Sequence, residues 1–210
     1  DWQIGDVLLD AYKIVGVAGE SGVSKVYRVE DLHSRKMLAM KCPSLRRDSA
    51  HSLEQARREV DMLFRLQGLP RILQIEQAHL WQGAAGGEPI PLIFTELADA
   101  GSLDGAIQER RLYAGDKQAA LTRVLDFAIQ SAWGIHALHQ KRILHGDIKP
   151  SNILLLTGGE IRIGGLDLAQ ILPAGQERLA SYGFTPAFAS PVQHRQEAIS
   201  LKSDLWSWAV

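Results

Sequence analysis

The segment that most constrains this chain is residues 145–152, His-Gly-Asp-Ile-Lys-Pro-Ser-Asn, which lies directly before the apolar run 153–156. It places a carboxylate at Asp147, an ammonium group at Lys149 and an amide at Asn152 within six residues. A short polar loop that enters a buried strand can hold these three groups near one point. Phosphoryl transfer uses such a set, because a carboxylate orients the attacking hydroxyl, a cation stabilises the transferring group and an amide binds a metal ion. The alternative is a solvated loop whose polar residues are unrelated.

The first part of the chain predicts a small sheet. Residues 12–42 alternate in polarity and are rich in β-branched side chains, which indicates three strands at 12–15, 25–29 and 37–41. The glycine-rich segment 16–24 connects the first two strands. A hairpin of this kind exposes backbone N–H groups and lets a polyphosphate approach closely.

Two helices and two further strands follow. Residues 52–67 carry apolar side chains at three- and four-residue spacing, which predicts a helix with one apolar stripe. Residues 71–97 predict two more strands, joined by a flexible tip at 82–89. Residues 121–139 predict a longer helix. Its apolar residues fall on one side: Leu121, Val124, Leu125, Ala128, Ala132, Ile135 and Leu138.

Composition excludes several classes of protein. A hydrophobic content of 46% and a net charge of −1 are typical of a globular chain and do not suggest a nucleic-acid partner. No apolar stretch approaches the ~18 residues of a membrane span, and the N-terminus does not resemble a signal peptide. Cys42 is the single cysteine, which excludes an internal disulfide and predicts a cytoplasmic location. The apolar pattern continues to Val210, so we expect a partial sequence.

Residues 145–152 resemble the catalytic loop of protein kinases, His-Arg-Asp-Leu-Lys-Pro-x-Asn, and Lys149 is the serine/threonine form. Residues 184–193 resemble the end of the activation segment in bacterial kinases of the eukaryotic type. The resemblance covers essentially the whole chain and implies an α+β, two-lobed kinase-like fold that is C-terminally truncated. Residues 1–97 would form a small β-rich N-lobe with a five-stranded sheet and one helix, and residues 98–210 an incomplete, mainly helical C-lobe.

The resemblance implies an ATP site in the first part of the chain. Lys41 matches the strand lysine that contacts the α- and β-phosphates of ATP. Glu59, 18 residues later, matches the helix glutamate that pairs with it, and Glu54 is the competing candidate. Glu96 and Ala98 would offer backbone groups to adenine.

The glycine-rich segment matches the kinase pattern Gly-x-Gly-x-x-Gly-x-Val incompletely. Gly19, Ser21 and Ser24 occupy the three glycine positions, so only the first is glycine. Gly22 keeps the segment flexible. The resemblance implies that Gly19, Ser21 and Gly22 contact the nucleotide.

In the catalytic loop, the resemblance implies that Asp147 orients the substrate hydroxyl, Lys149 supports the γ-phosphate and Asn152 binds Mg²⁺. Gly146 stands where many kinases have an arginine that pairs with a phosphorylated activation segment. Its absence argues against that route of regulation. Asp204 would begin a buried helix and accept hydrogen bonds from the backbone of the catalytic loop.

The largest departure concerns the kinase motif Asp-Phe-Gly, whose aspartate binds Mg²⁺. In one register, residues 165–167 (Gly-Leu-Asp) replace it, with the family's usual spacing of 13 from Asn152 to Gly165. In the other register, residues 167–169 (Asp-Leu-Ala) form the motif after a two-residue insertion. We favour the first register, in which Asp167 would have to serve with Asn152 as a substitute metal ligand.

Three functions follow from these residues. The first is an ATP- and Mg²⁺-dependent serine/threonine protein kinase acting on a protein substrate. The second is a pseudokinase, a nucleotide-binding or scaffold module. It is motivated by four residues that replace those of the family pattern: Gly165, Val192, Ser21 and Ser24. The third is a kinase-fold enzyme for small molecules, against which residues 185–186 and 190–191, a peptide-docking pattern, argue. The sequence leaves the choice between the first two open, and with it whether the chain is an enzyme.

Overall fold

The structure is a computed structural model, and its described residues are 2–20, 24–43, 49–82 and 89–210. The chain divides into two compact units. The first unit comprises Asp1–Gln67 and Gln74–Leu97, and the second comprises Gly68–Leu73 and Ala98–Val210. The short segment Gly68–Leu73 therefore belongs with the second unit, although it lies within the part of the sequence assigned to the first predicted lobe.

In its described residues, the first unit is a six-stranded antiparallel sheet with one helix, in the strand order β1-β2-β3-β4-β6-β5. Its elements are β1 (Val7–Leu8), β2 (Tyr12–Glu20), β3 (Ser24–Asp31), β4 (Met37–Pro43), α1 (Ser49–Arg65), β5 (Ile75–Trp81) and β6 (Ile90–Glu96).

The sheet has one strand more than the five predicted. Val7 and Leu8 pair with Lys13 and Tyr12 and so add a short edge strand. This strand was missed because two residues carry no readable alternation.

Strand β2 is also longer than predicted, since it continues to Glu20 through the glycine-rich segment. Its pairing with β3 shifts register between Ile14 and Gly16 and again between Val17 and Gly19. Such bulges insert an extra residue and are tolerated where a small side chain removes crowding. Most of the predicted loop is therefore strand.

The core of the first unit follows the period of two along its strands. Alternate side chains of β2, β3, β4 and β6 are buried together: Ile14, Tyr27, Val29, Leu38, Met40 and Phe94. Trp2 covers this cluster, with its ring edge-on to Tyr27 and Trp81 at centroid distances of 5.5 and 5.4 Å. Helix α1 buries Leu63, and Leu66, the residue after the helix, is also buried.

The second unit is mainly helical with two pairs of short strands. Its elements are α2 (Leu103–Gln108), α3 (Lys117–Gln140), β7 (Ile143–Leu144), β8 (Ile153–Leu155), β9 (Ile161–Ile163), β10 (Gln170–Ile171), α4 (Pro191–His194) and α5 (Leu201–Ala209). Strand β8 pairs with β9 and strand β7 with β10, both antiparallel. None of the helices in the described ranges has the length and apolar content to cross a bilayer.

Helix α3 packs closely on β9 through Gly134. A Cβ atom at this position would lie 2.6 Å from Cδ1 of Ile163. Because no larger side chain fits there without displacing Ile163, the glycine lets the helix approach the strand that precedes Gly164 and Gly165.

Only part of the predicted apolar side of α3 is buried. Ile135 and Leu138 are at most 2% exposed, whereas Leu121 and Leu125 are 49% and 52% exposed. The periodicity identified the helix correctly, but it did not determine which turns of that side contact the core of the unit.

Candidate functional site

The first unit brings Lys41 and Glu59 together. The ammonium nitrogen of Lys41, on β4, donates to both carboxylate oxygens of Glu59, on α1, at 2.8 Å each. Glu59 is buried, and a buried carboxylate requires such a partner. The competing candidate Glu54 is exposed and lies 3.6 Å from the guanidinium of Arg58. The ion pair holds Lys41 in one place on the strand.

The predicted phosphate-binding segment is described only in part. Gly19 lies in β2 opposite Val26, and a Cβ atom at Gly19 would meet no atom of the described residues within 4 Å. Ser21 and Gly22 lie outside the described residues.

Of the predicted adenine contacts, Glu96 is the last residue of β6 and Ala98 lies two residues beyond it. The N–H of Glu96 donates to the carbonyl of Gln74 at 3.0 Å, and its side chain accepts from the N–H of Gln74 at 2.9 Å. Its carbonyl accepts from the hydroxyl of Thr95 at 3.2 Å. These bonds fix Glu96 within the first unit. Ala98 begins the long segment of the second unit, and its role stays a prediction.

The loop at residues 145–152 of the second unit is held by the carboxylate of Asp204. This carboxylate is 1% exposed and accepts from the N–H groups of His145 at 2.9 Å and Gly146 at 2.8 Å. It also lies 2.9 Å from Nε2 of His139. Nε2 of the buried His145 is in turn 2.9 Å from the carbonyl of Gly164. The predicted hydrogen bonds from the loop backbone to Asp204 are confirmed. The predicted helix start is wrong, because α5 begins at Leu201 and Asp204 lies within its first turn.

Asp147, Lys149 and Thr185 converge at one point. Nζ of Lys149 lies 2.6 Å from Oδ2 of Asp147 and donates to the hydroxyl of Thr185 at 2.8 Å. Oδ1 of Asp147 accepts from the hydroxyl of Thr185 at 2.7 Å and from its N–H at 3.1 Å. The carboxylate, the ammonium group and a hydroxyl therefore contact one another, although Thr185 is 38 residues from Asp147 in sequence.

Asn152 and Gly165 face each other beside this cluster. Nδ2 of Asn152 donates to the carbonyl of Asp147 at 2.8 Å. Gly165 has a left-handed backbone, with φ of 69° and ψ of 45°. A Cβ atom there would lie 2.3 Å from Oδ1 of Asn152. The side chain of Asn152 thus occupies the space that a side chain at residue 165 would need.

Asp167 lies two residues further on, in a short 3-10 turn over Leu166–Leu168. Leu166 is buried and Asp167 is half-buried. Within the described ranges, no group of three or more His, Cys, Asp or Glu side chains could hold a metal ion. The predicted metal role of Asp167 stays a prediction.

Two contacts of this unit were missed by the sequence analysis. The side chain of Arg142 donates to the carbonyls of Leu172 at 3.3 Å and Pro173 at 3.1 Å. The side chain of Gln193 is buried and donates to the carbonyl of Gly146 at 3.1 Å. No sequence pattern indicates either contact, because the acceptors are backbone carbonyls. Every residue has such a carbonyl, so the residue types of the acceptors carry no signal.

The geometry of both units agrees with the family comparison. A model of the protein kinase domain matches residues 12–210. The chain therefore belongs to the protein kinase family, and its predicted two-lobed fold, with a β-sheet N-lobe and a mainly helical C-lobe, is confirmed.

Curated relatives are serine/threonine kinases at low identity. The chain is 25% identical over 197 residues to serine/threonine-protein kinase Nek4 of Mus musculus, an overlap that covers 94% of this chain and 24% of that protein. It is 27% identical over 200 residues to serine/threonine-protein kinase 36 of Pongo abelii, covering 95% and 14%. The chain therefore spans about a quarter of the length of Nek4 and a smaller share of serine/threonine-protein kinase 36. The predicted bacterial affiliation stays a prediction.

Proposed function

We propose that this domain binds ATP and transfers its γ-phosphate to a serine or threonine hydroxyl of a protein substrate. The contact among Asp147, Lys149 and Thr185 carries the proposal. It holds a hydroxyl between a carboxylate that can accept its proton and an ammonium group that can neutralise a phosphate oxygen. The serine/threonine kinases among the relatives support the same substrate class.

In this proposal the substrate hydroxyl donates a hydrogen bond to the carboxylate of Asp147, which orients its oxygen toward the γ-phosphorus. The new O–P bond forms as the bond from the γ-phosphorus to the bridging oxygen of ADP breaks. The hydroxyl proton passes to Asp147, and ADP leaves with the electron pair of the broken bond. Lys149 stabilises negative charge on the transferring oxygens.

The first unit contributes to nucleotide binding in this proposal. Lys41, held by Glu59, contacts the α- and β-phosphates. The backbone of Glu96 and Ala98 serves adenine. The segment that contains Gly19, Ser21 and Gly22 covers the phosphates.

Kinases as a family use Mg²⁺ with ATP, and this ion requires oxygen ligands from the chain. Asn152 supplies one neutral amide oxygen, and Gly165 supplies no ligand. The amide of Asn152 also fills the space next to Gly165, so a carboxylate could not enter unless Asn152 moved. These residues do not fit the usual magnesium site. Asn152 and Asp167 remain the predicted ligands, and the steps above do not pass through a metal.

This misfit favours the pseudokinase as the second candidate function. A triphosphate without its metal carboxylate is less well neutralised and aligned, and phosphoryl transfer depends mainly on positioning and electrostatics. A domain that binds nucleotide without efficient transfer would act as a scaffold or regulator of a partner protein. A cytoplasmic location is part of both proposals.

One experiment separates the two candidates. Transfer of the γ-phosphate from labelled ATP to the protein itself and to a mixed protein substrate is measured with and without Mg²⁺, alongside equilibrium ATP binding. The matched variant Asp147→Asn keeps the size of the side chain but removes its ability to accept the proton. Transfer that Asp147→Asn abolishes supports the kinase. ATP binding with no transfer above the Asp147→Asn background supports the pseudokinase, and absence of ATP binding overturns both.

The variant Asp167→Ala tests the substitute ligand in the same assay. A smaller response of ATP binding to Mg²⁺ in Asp167→Ala than in the wild-type protein would support metal binding by Asp167. An unchanged response would exclude that role.

A further inference from the structure

Gln193 is a buried polar residue that the proposed mechanism does not use. It lies in α4, is 1% exposed, and belongs to the segment that follows Thr185. Its Oε1 atom accepts from the N–H and from the hydroxyl of Ser190, both at 2.9 Å. Its Nε2 atom donates to the carbonyl of Gly146 at 3.1 Å. One amide therefore joins the segment after Thr185 to the catalytic loop.

Gly146, the residue before Asp147, depends on such external contacts. Its φ of 79° lies in the left-handed region, and glycine has the broadest choice of backbone angles of any residue. Local sterics therefore do little to restrict it. Its N–H donates to Asp204 at 2.8 Å, and its carbonyl accepts from Gln193 at 3.1 Å. The two buried side chains together define its backbone conformation.

The peptide group between Gly146 and Asp147 is held on both sides. Gln193 donates to the carbonyl of this peptide group, which belongs to Gly146. The N–H of the group, which belongs to Asp147, donates to Nδ1 of His145 at 3.2 Å. Because a peptide group is planar, fixing both ends of it fixes the position of the Asp147 Cα atom, from which the side chain leaves the backbone. Thr185 then binds the carboxylate at its far end.

We propose that Gln193 is a positioning residue for Asp147. Its amide accepts from Ser190 and donates to Gly146, and thereby holds the segment that carries Thr185 in register with the catalytic loop. This inference rests on the proposed transfer function, because the position of Asp147 matters to that reaction. An amide is required, since a carboxylate could accept from Ser190 but could not donate to a carbonyl.

Two variants test this role. Gln193→Glu keeps the size and the acceptor for Ser190 and loses the donor to Gly146. Gln193→Met keeps the volume and loses both, which provides a second variant if the buried carboxylate prevents folding. Ser190→Ala is the matched control, because it removes one bond to Gln193 and leaves the bond to Gly146.

In the full chain, we expect Gln193→Glu and Gln193→Met to lower kcat about tenfold or more while KM for ATP stays within about twofold. Ser190→Ala should keep kcat within about threefold. If the Gln193 variants change KM and thermal stability in proportion to kcat, Gln193 has only a structural role and the proposal is overturned. Unchanged kcat in both Gln193 variants would also overturn it.

Amide hydrogen exchange measured by NMR separates this inference from the proposed function. The N–H of Asp147 should exchange about tenfold faster in both Gln193 variants and at the wild-type rate in Ser190→Ala. If the wild-type protein transfers no phosphate, faster exchange still supports the clamp on Asp147 while the transfer function fails. Unchanged exchange refutes the clamp whether or not the wild-type protein is active.

Discussion

Replacing Gly165 by alanine tests the close approach of Asn152 to residue 165. The new Cβ atom would lie 2.3 Å from Oδ1, 2.4 Å from Cγ and 2.6 Å from Nδ2 of Asn152. All three distances are far shorter than a van der Waals contact, so Asn152 must move. Its hydrogen bond to the carbonyl of Asp147, at 2.8 Å, is then lost.

The magnitude follows from two contributions. An alanine in the left-handed conformation costs about 1–2 kcal/mol. The lost hydrogen bond costs about 1 kcal/mol. We therefore expect Gly165→Ala to lower the free energy of unfolding by about 2–3 kcal/mol, and Asn152→Ala to lower it by about 1 kcal/mol. The double variant loses the bond once, so its cost should be about 1 kcal/mol below the sum of the single costs.

Gly159→Ala is the matched control. Gly159 has a φ of 82°, but a Cβ atom there would meet no atom within 4 Å. Its substitution should cost the backbone strain alone and should be additive with Asn152→Ala. The free energies are measured by urea unfolding, with a probe in the second unit. Additivity of Gly165→Ala with Asn152→Ala, or a cost of Gly165→Ala no larger than that of Gly159→Ala, would refute the overlap.

Three further predictions concern other parts of the two units. Asp204→Ala leaves the buried N–H groups of His145 and Gly146 unpaired, so we expect the free energy of urea unfolding to fall by about 2–6 kcal/mol. A loss below about 1 kcal/mol would contradict this. Glu59→Gln removes the charge that holds Lys41, so ATP affinity should fall, as titration calorimetry can measure; unchanged affinity would argue against a nucleotide role for the pair. Burial raises the pKa of the Cys42 thiol to about 11 from 9.0. Iodoacetamide at pH 8 should therefore alkylate Cys42 about a hundredfold more slowly in the folded protein than in the unfolded chain, as mass spectrometry can measure. Because the thiolate forms first in the unfolded chain, the contribution of Cys42 to stability should be full below pH 9 and decline as pH rises toward 11; alkylation at equal rates would contradict both statements.

Local patterns predicted much of the fold. Alternation located β3 and β4, and the three- and four-residue spacing located α1 and α3, because these periods arise from the geometry of a single element. The edge strand at Val7–Leu8 was missed, since two residues show no period. The exposure of Leu121 and Leu125 was also missed, because the pattern of one helix does not specify which of its turns another element covers.

The candidate site divides in the same way. The types and order of Asp147, Lys149 and Asn152 indicated phosphoryl transfer, because these groups lie in one short loop and their chemistry belongs to the side chains themselves. The pairing of Lys41 with Glu59 was predicted only through the family resemblance, and the structure shows it directly.

The sequence by itself determined the chemical groups of this domain and the order of its longer strands and helices. Tertiary structure alone decided that Asn152 fills the space beside Gly165, and that Gln193, 47 residues from Gly146, holds the backbone at Asp147. The physical reason is that both contacts depend on where the backbone places distant residues. A glycine in the sequence shows only that a side chain is missing, whereas the fold shows which neighbour occupies its place.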